Sequence, residues 1–266
     1  MVKNNTKSNK YPVVIIFDLD ETLGYFSEFS LLWNYLQSKA YNKDGAIHKQ
    51  LCFNDFFDKF PELLRPLIVD ILKSLLRKQK TYHFEIMLYT NNNGSKEWIQ
   101  HIVHYLESII NMELKLDKPL FFKIIYAFKI NGKRIELKRT SCEKSYDDFL
   151  KTTSLPNTTQ ICFIDDTYFI HMDVKNVFYI NVDPYVYHFS SKEFLSRITK
   201  SIFYKKYYLN INEEEFRIFL KNRLHLDKNP GDLKINTKIK REIDVIDSKA
   251  IWKFLNEFLL EFCYIK

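Results

Sequence analysis

Two kinds of segment alternate along the chain. Short runs dominated by β-branched and aromatic residues (Val13–Phe17, Phe84–Tyr89, 160–164 and Val177–Val182) read as strands buried on both faces. Between and after them lie segments with apolar positions at helical spacing. Residues 62–78 predict a helix, with Pro66 in its first turn. Ser95 caps another, whose apolar face is Trp98, Ile102, Tyr105, Leu106 and Ile109. Further helices are predicted around 145–153 and from Ser191 onward. Asn212 and Glu215 form a capping box for Phe216, Phe219, Leu220 and Leu224, and Ser248 opens a last amphipathic helix with Ile251, Leu255, Phe258, Leu259 and Phe262. Asn131-Gly132, flanked by Phe121–Ile130 and Lys133–Arg139, is a hairpin signal. Strands alternating with helices predict an α/β fold: a doubly wound parallel sheet with a small β-hairpin insert and an α-helical C-terminal extension.

The organisation that follows is a disordered N-terminus over 1–10, a main domain over 11–204 and the helical extension over 205–266. The main domain holds the hairpin (121–139) and an aromatic-rich insert (25–60) carrying Phe26, Phe29, Trp33, Tyr35, Tyr41, Phe53, Phe56, Phe57 and Phe60, with Asp44-Gly45 as a turn. Asn229-Pro230-Gly231-Asp232 is a turn in the extension, which packing against the core explains more simply than a partner-binding role. No internal repeat is visible.

The length allows a large core, and 46% hydrophobic residues require one. The net charge of +7 favours acidic partners, but the basic residues are spread out, and no motif indicates nucleic acid. Cys52, Cys142, Cys162 and Cys263 form no C-x-x-C pair, so free thiols in a reducing intracellular compartment, cytoplasm or nucleus, are expected. The polar first ten residues are no signal peptide, and no apolar stretch reaches the ~20 residues that span a bilayer. The histidines form no H-x-H or H-E-x-x-H pattern, which disfavours a zinc site.

The first strand ends in Asp18-Leu19-Asp20-Glu21-Thr22-Leu23. Ligands of such sheets bind past the carboxyl ends of the strands. Two acids there need a cation or a shared proton. The competing reading is an Asx turn in which Asp20 caps a helix. The pair Asp147-Asp148 falls in a helical segment and reads as a solvated face or a partner of the helix dipole.

The segment Phe17-Asp18-Leu19-Asp20-Glu21-Thr22-Leu23 resembles the first motif, D-x-D-x-T, of the haloacid dehalogenase-like phosphatases. It is most similar to the branch that dephosphorylates the RNA polymerase II C-terminal domain, the NLI-interacting-factor-like phosphatases. The other motifs of that family have counterparts in order: Thr90 after Phe84–Tyr89, a lysine at Lys144 or, second, Lys138, and Asp165-Asp166 after Ile161–Ile164. Arg65-Pro66 before a helix is a further likeness, and the resemblance spans roughly Tyr11 to Tyr187.

The resemblance implies a haloacid dehalogenase-like Rossmannoid sheet and hydrolysis through an aspartyl-phosphate. Asp18 would be the nucleophile and Asp20 the general acid and base. Thr90 and Lys144 would bind the phosphoryl group. Mg2+ would sit on the side chains of Asp18 and Asp166 and the backbone carbonyl of Asp20, with Asp165 orienting Lys144 or a metal-bound water. The implied substrate is a phosphoprotein, such as a polymerase-tail-like peptide bearing phosphoserine or phosphothreonine. A nucleic-acid end phosphatase, a small-metabolite phosphatase and a catalytically weak scaffold domain remain alternatives.

Overall fold

The computed structural model describes residues 11–39, 46–201, 212–223 and 238–263. The expected order of elements is present. Strands β1 (Val13–Phe17), β2 (Glu85–Tyr89), β3 (Lys123–Ile125), β6 (Gln160–Asp165) and β7 (Val177–Asn181) make one parallel sheet in the order β3-β2-β1-β6-β7, and β4 (Lys129–Ile130) pairs antiparallel with β5 (Lys133–Arg134). The helices are α1 (Ser27–Lys39), α2 (Ala46–Phe57), α3 (Ile68–Lys78), α4 (Lys96–Asn111), α5 (Tyr146–Thr153), α6 (Ser191–Thr199), α7 (Glu213–Arg223) and α8 (Lys238–Phe262). Tyr41, Asp44-Gly45, Leu224, the turn at 229–232, residues 1–10 and the expected boundary at 204–205 lie outside the described residues. Among the described residues no helix is long and apolar enough to cross a membrane.

The sheet is covered unequally. Val13, Ile15 and Phe17 point to one face, Val14 and Ile16 to the other, as strand alternation requires. The first face carries α1, α2, α3, α4, α6, α7 and α8 in one continuous core; the second carries α5 and the loop after β6 through Phe149, Phe169 and Met172.

The aromatic insert belongs to that larger core. Phe26, Phe29, Phe53, Phe56, Phe57 and Phe60 are fully buried. The Phe29 ring has Phe53, Phe56, Phe57, Phe60 and Trp98 around it at centroid distances of 4.9 to 6.1 Å. Tyr35 stacks on Phe219 at 3.9 Å and ties α1 to α7.

Several boundaries differ from the sequence reading. Residues 123–125 pair with β2 as the edge of the main sheet, which leaves the hairpin two residues per strand around Asn131 and Gly132. Both turn residues have positive φ (50° and 77°), as a tight primed turn demands. The helix expected over 62–78 is broken: a 3-10 turn covers Pro61–Leu63, Leu67 is left-handed (φ 61°), and α3 starts only at Ile68. Ser248 does not open the last helix, which starts at Lys238. Ser248 sits inside it, donating to the Asp244 carbonyl at 2.8 Å, a bond that satisfies a buried hydroxyl within a helix. Asp148 is no solvated residue: buried, it accepts from the Thr140 N–H at 2.7 Å and from the Thr140 hydroxyl.

Truncating Phe29 tests whether the insert is core. Phe29→Ala should cost about 3–5 kcal/mol in equilibrium urea unfolding. A loss below about 1 kcal/mol, the range of exposed positions, would place the insert outside the cooperative core.

Candidate active site

Strand order reverses between β1 and β6, which are parallel neighbours in register from Val13↔Gln160 to Phe17↔Ile164. Such a switch point opens a crevice beyond the carboxyl ends of the strands. The Asp18 N–H donates to the Ile164 carbonyl at 2.9 Å, so Asp18 is fixed at the last rung of the ladder. Asp165 ends the neighbouring strand and Asp166 follows it.

Here a cavity of about 460 Å³ is lined by five acids: Asp18, Asp20, Glu21, Asp165 and Asp166. Asn91, Asn92, Asn93 and Gly94 line it from the end of β2, Ser27, Ser30 and Leu31 from α1, and Thr167 and Phe169 from the loop after β6. Lys144 is the one basic residue among the described lining residues, and 1% of it is exposed. Its ammonium donates to Asp18 Oδ1 and, at 2.6 Å, to Asp165 Oδ2. Lys138 is exposed instead and donates to Ser154 at 3.3 Å.

Each remaining acid has its own support. Asp20 Oδ2 accepts from Asn92 Nδ2 at 2.7 Å, while Asp20 Oδ1 is buried with no hydrogen-bond partner. Asp165 Oδ1 accepts from the Thr167 N–H at 2.9 Å. The Thr22 hydroxyl donates to Asp166 Oδ1 at 3.0 Å and accepts the Asp166 N–H at 3.1 Å. Thr90 does not line the cavity: it is fully buried, and its Oγ1 accepts the Asn92 N–H at 2.9 Å, which shapes the loop that carries Asn92.

Two buried arginines, neither assigned a site role from sequence, hold the loops. Arg65 donates to the carbonyls of Thr22, Glu21 and Asp183, each at 2.7 Å. Arg139 donates to the carbonyls of Thr90, Tyr126, Cys142 and Glu143 and to Asn91 Oδ1, so one guanidinium joins the loop after β2 to the loop that delivers Lys144. Ser145 then caps α5, its hydroxyl accepting the Asp148 N–H, which starts the helix directly after the lysine. Gly24 closes the first loop: a Cβ there would stand 2.3 Å from the Leu63 carbonyl oxygen.

Burial, and after it the neighbouring charges, sets the electrostatics. Burial, then the charge of Asp18, pushes the Asp20 carboxyl up to about 7. Burial pushes Asp165 up to about 7 as well, against the pull of Lys144. Glu21 rises to about 7 through burial and the charges of Asp166 and Asp18. Asp18 is raised because burial outweighs Lys144. Burial lowers Lys144, but Asp18 and Asp165 together more than reverse it, so it stays protonated.

Five acids against one ammonium leave room for a further cation. The carboxylate oxygens of Asp18, Asp165 and Asp166 come within 4.8 Å of one another. An oxygen-only donor set suits a hard cation such as Mg2+ rather than zinc. The sequence expectation paired Asp18 and Asp166 with Asp20; among side chains the third member of this cluster is Asp165, and the Asp20 carboxylate turns toward Asn92. Asn92, Thr22 and Arg139 escaped the sequence reading. Thr22 alone carried a signal, its place in the D-x-D-x-T pattern.

No protein-family model matches this chain, and no curated protein does. Among solved structures it is similar to the HAD domain of effector protein Lem4 from Legionella pneumophila, in an inactive mutant. The identity is 12%, over 76% of this chain and 100% of that one, with a TM-score of 0.42.

The raised carboxyls have a consequence for stability. Asp20, Glu21 and Asp165 keep protons in the folded state that the unfolded chain has already lost, so their contribution is complete near pH 4 and is lost as pH rises toward 7. Metal-free protein should melt at a higher temperature at about pH 5.5 than at about pH 7.5. Asp20→Asn should shallow that slope, and excess Mg2+ should flatten it. Melting curves of the two proteins across this range check it. Identical slopes would show that the Asp20 carboxyl is not held above its ordinary range.

Proposed function

We propose that the protein is a Mg2+-dependent phosphomonoester hydrolase that works through an aspartyl-phosphate, with phosphoserine or phosphothreonine of a protein as its substrate. One observation carries the chemistry. Asp18 is held by a buried lysine beside Asp20, a carboxyl that keeps its proton to about pH 7 and has one oxygen without a partner. A candidate nucleophile paired with a lysine and a candidate proton donor held by an amide are thus neighbours in different surroundings, the pattern that divides acid and base roles.

In this reading an Asp18 carboxylate oxygen bonds to phosphorus as the ester oxygen leaves, and Asp20 gives that oxygen its proton. Asp20, now ionised, takes a proton from the water that attacks the aspartyl-phosphate. Inorganic phosphate leaves, and both carboxyls return to their first state. Asn92 keeps Asp20 aimed throughout through its 2.7 Å bond. Lys144 holds Asp18 and offsets phosphoryl charge with its remaining donor, an ammonium having three. Mg2+ held by Asp18 and Asp166, with Asp165 beside them, would offset the repulsion between the acids and a phosphate dianion. Thr90 acts by holding the Asn92 backbone rather than by touching phosphate.

A protein substrate is supported by the sequence resemblance to the polymerase-tail phosphatases and by the insert. Among the described residues its phenylalanines and Trp33 are spent in the core, and Ser27, Ser30 and Leu31 of α1 reach the cavity wall.

Asp18→Asn should abolish hydrolysis of p-nitrophenyl phosphate while the circular dichroism spectrum and melting transition persist. Near wild-type turnover in that variant would remove Asp18 as nucleophile. Chelation with EDTA should stop turnover and Mg2+ restore it; restoration by Zn2+ alone contradicts the oxygen-ligand reading. Lys144→Ala should lower kcat by orders of magnitude because a charge contact made in the transition state is lost, and Lys138→Ala should leave kcat near wild type.

A further inference from the structure

We propose that the mouth of the site selects phosphopeptides whose neighbouring residues are neutral, apolar or basic and rejects those flanked by acids, the peptide running from the catalytic cavity across Phe169 into an adjoining depression. This rests on the phosphatase reading above and deepens it.

The charge of the cavity is opposite to that of the chain. The protein carries +7, yet the lining holds five acids and one lysine already bonded to two of them. One phosphate uses up the positive charge that Lys144 and a bound divalent cation would bring to these acids. A second anionic group on the substrate would find no basic partner among the described lining residues, and it would meet Glu21, which is half-buried at the wall.

The rim is apolar on both sides. Leu31, 50% exposed, stands on α1, which packs on one face of the sheet, and Phe169 packs on the other face. The next residue, Ile170, is 67% exposed and lines a second cavity of about 490 Å³ with Tyr146, His171 and Val174. Phe169 and Ile170 thus stand back to back, one in each cavity. A chain leaving the phosphate site over Phe169 enters this depression, where the exposed acids Glu143 and Asp147 outnumber Lys151. Both stretches of the path present carboxylates and apolar surface, the complement of a neutral or basic extended peptide.

The test is binding to the Asp18→Asn protein in Mg2+, read by fluorescence anisotropy with labelled phosphoserine nonapeptides whose flanks are alanine and proline, lysine or glutamate. Neutral and lysine-flanked peptides should bind roughly tenfold tighter than the glutamate-flanked one at low salt, with the gap closing as salt screens it. Leu31→Lys should recover most of the loss for the glutamate-flanked peptide. Ile170→Asp should weaken the neutral peptide several-fold more than it weakens free phosphoserine. Equal or tighter binding of the glutamate-flanked peptide, or equal effects of Ile170→Asp on peptide and phosphoserine, overturns the proposal. Wild-type turnover of p-nitrophenyl phosphate is measured in parallel. Its absence overturns the hydrolase reading alone, because the selectivity is read from binding.

Discussion

One buried ammonium has to reconcile carboxylates that repel each other. Lys144 reaches Asp18 and Asp165 from a loop far away in sequence, and without it two acids on adjacent strand ends would face each other in a medium that screens charge poorly. The other arrangements of the site follow from this one. The ammonium must arrive at a fixed height, so the loop carrying it is pinned on one side by Arg139 and on the other by the Ser145 cap of α5. The carbonyls that Arg65 and Arg139 bind are neutral, so the guanidiniums position the acids without neutralising them. Net negative charge survives in the cavity, and on the function proposed above that charge is what a cation and a phosphate bound as a pair would meet.

The uneven coat of the sheet serves the same end. On one face, packing among phenylalanines ties α1 and the loop at Gly24 into the core, so the wall of the site is held by the same packing that covers the sheet. On the other face the cover is thin, α5 and a loop, and that is where Phe169 and Ile170 stand within reach of solvent. The thick side fixes the acids; the thin side leaves apolar surface exposed beside them.

The parallel sheet was legible because its strands are apolar on both faces, which gives uninterrupted runs that end where polar residues begin. The positions of Asp18, Asp165 and Asp166 were legible for the same reason, as acids at the ends of such runs. Boundaries set by tertiary contacts were not. Nothing local separates the β3 residues, which pair with β2, from the hairpin that follows, and Ser248 looks like a helix cap because the polar turns before it hide a helix already begun. Of the clamp arginines, Arg65 stands in the Arg-Pro likeness with no role attached to it, and Arg139 leaves no pattern. Among 40 lysines and arginines, Arg139 is marked out by its burial among carbonyls, which it shares with Arg65 and which is a property of the assembled loops. Asn92 reads as a turn former, and its bond to Asp20 depends on two strands meeting.

The distance along the chain between the partners of Lys144 bears on how the protein is made. Asp18 and Lys144 are 126 residues apart, and β1 lies in the middle of the sheet between β2 and β6. At about 5–20 residues per second, a ribosome leaves β1 without its second neighbour for roughly ten seconds. During that time an apolar strand with one open edge is available for wrong pairing, and the acid beside it lacks its lysine. Cells that lengthen this interval, by slow codons between α4 and β6 or by depletion of chaperones, should accumulate aggregates of the nascent chain rather than a folded but inactive protein.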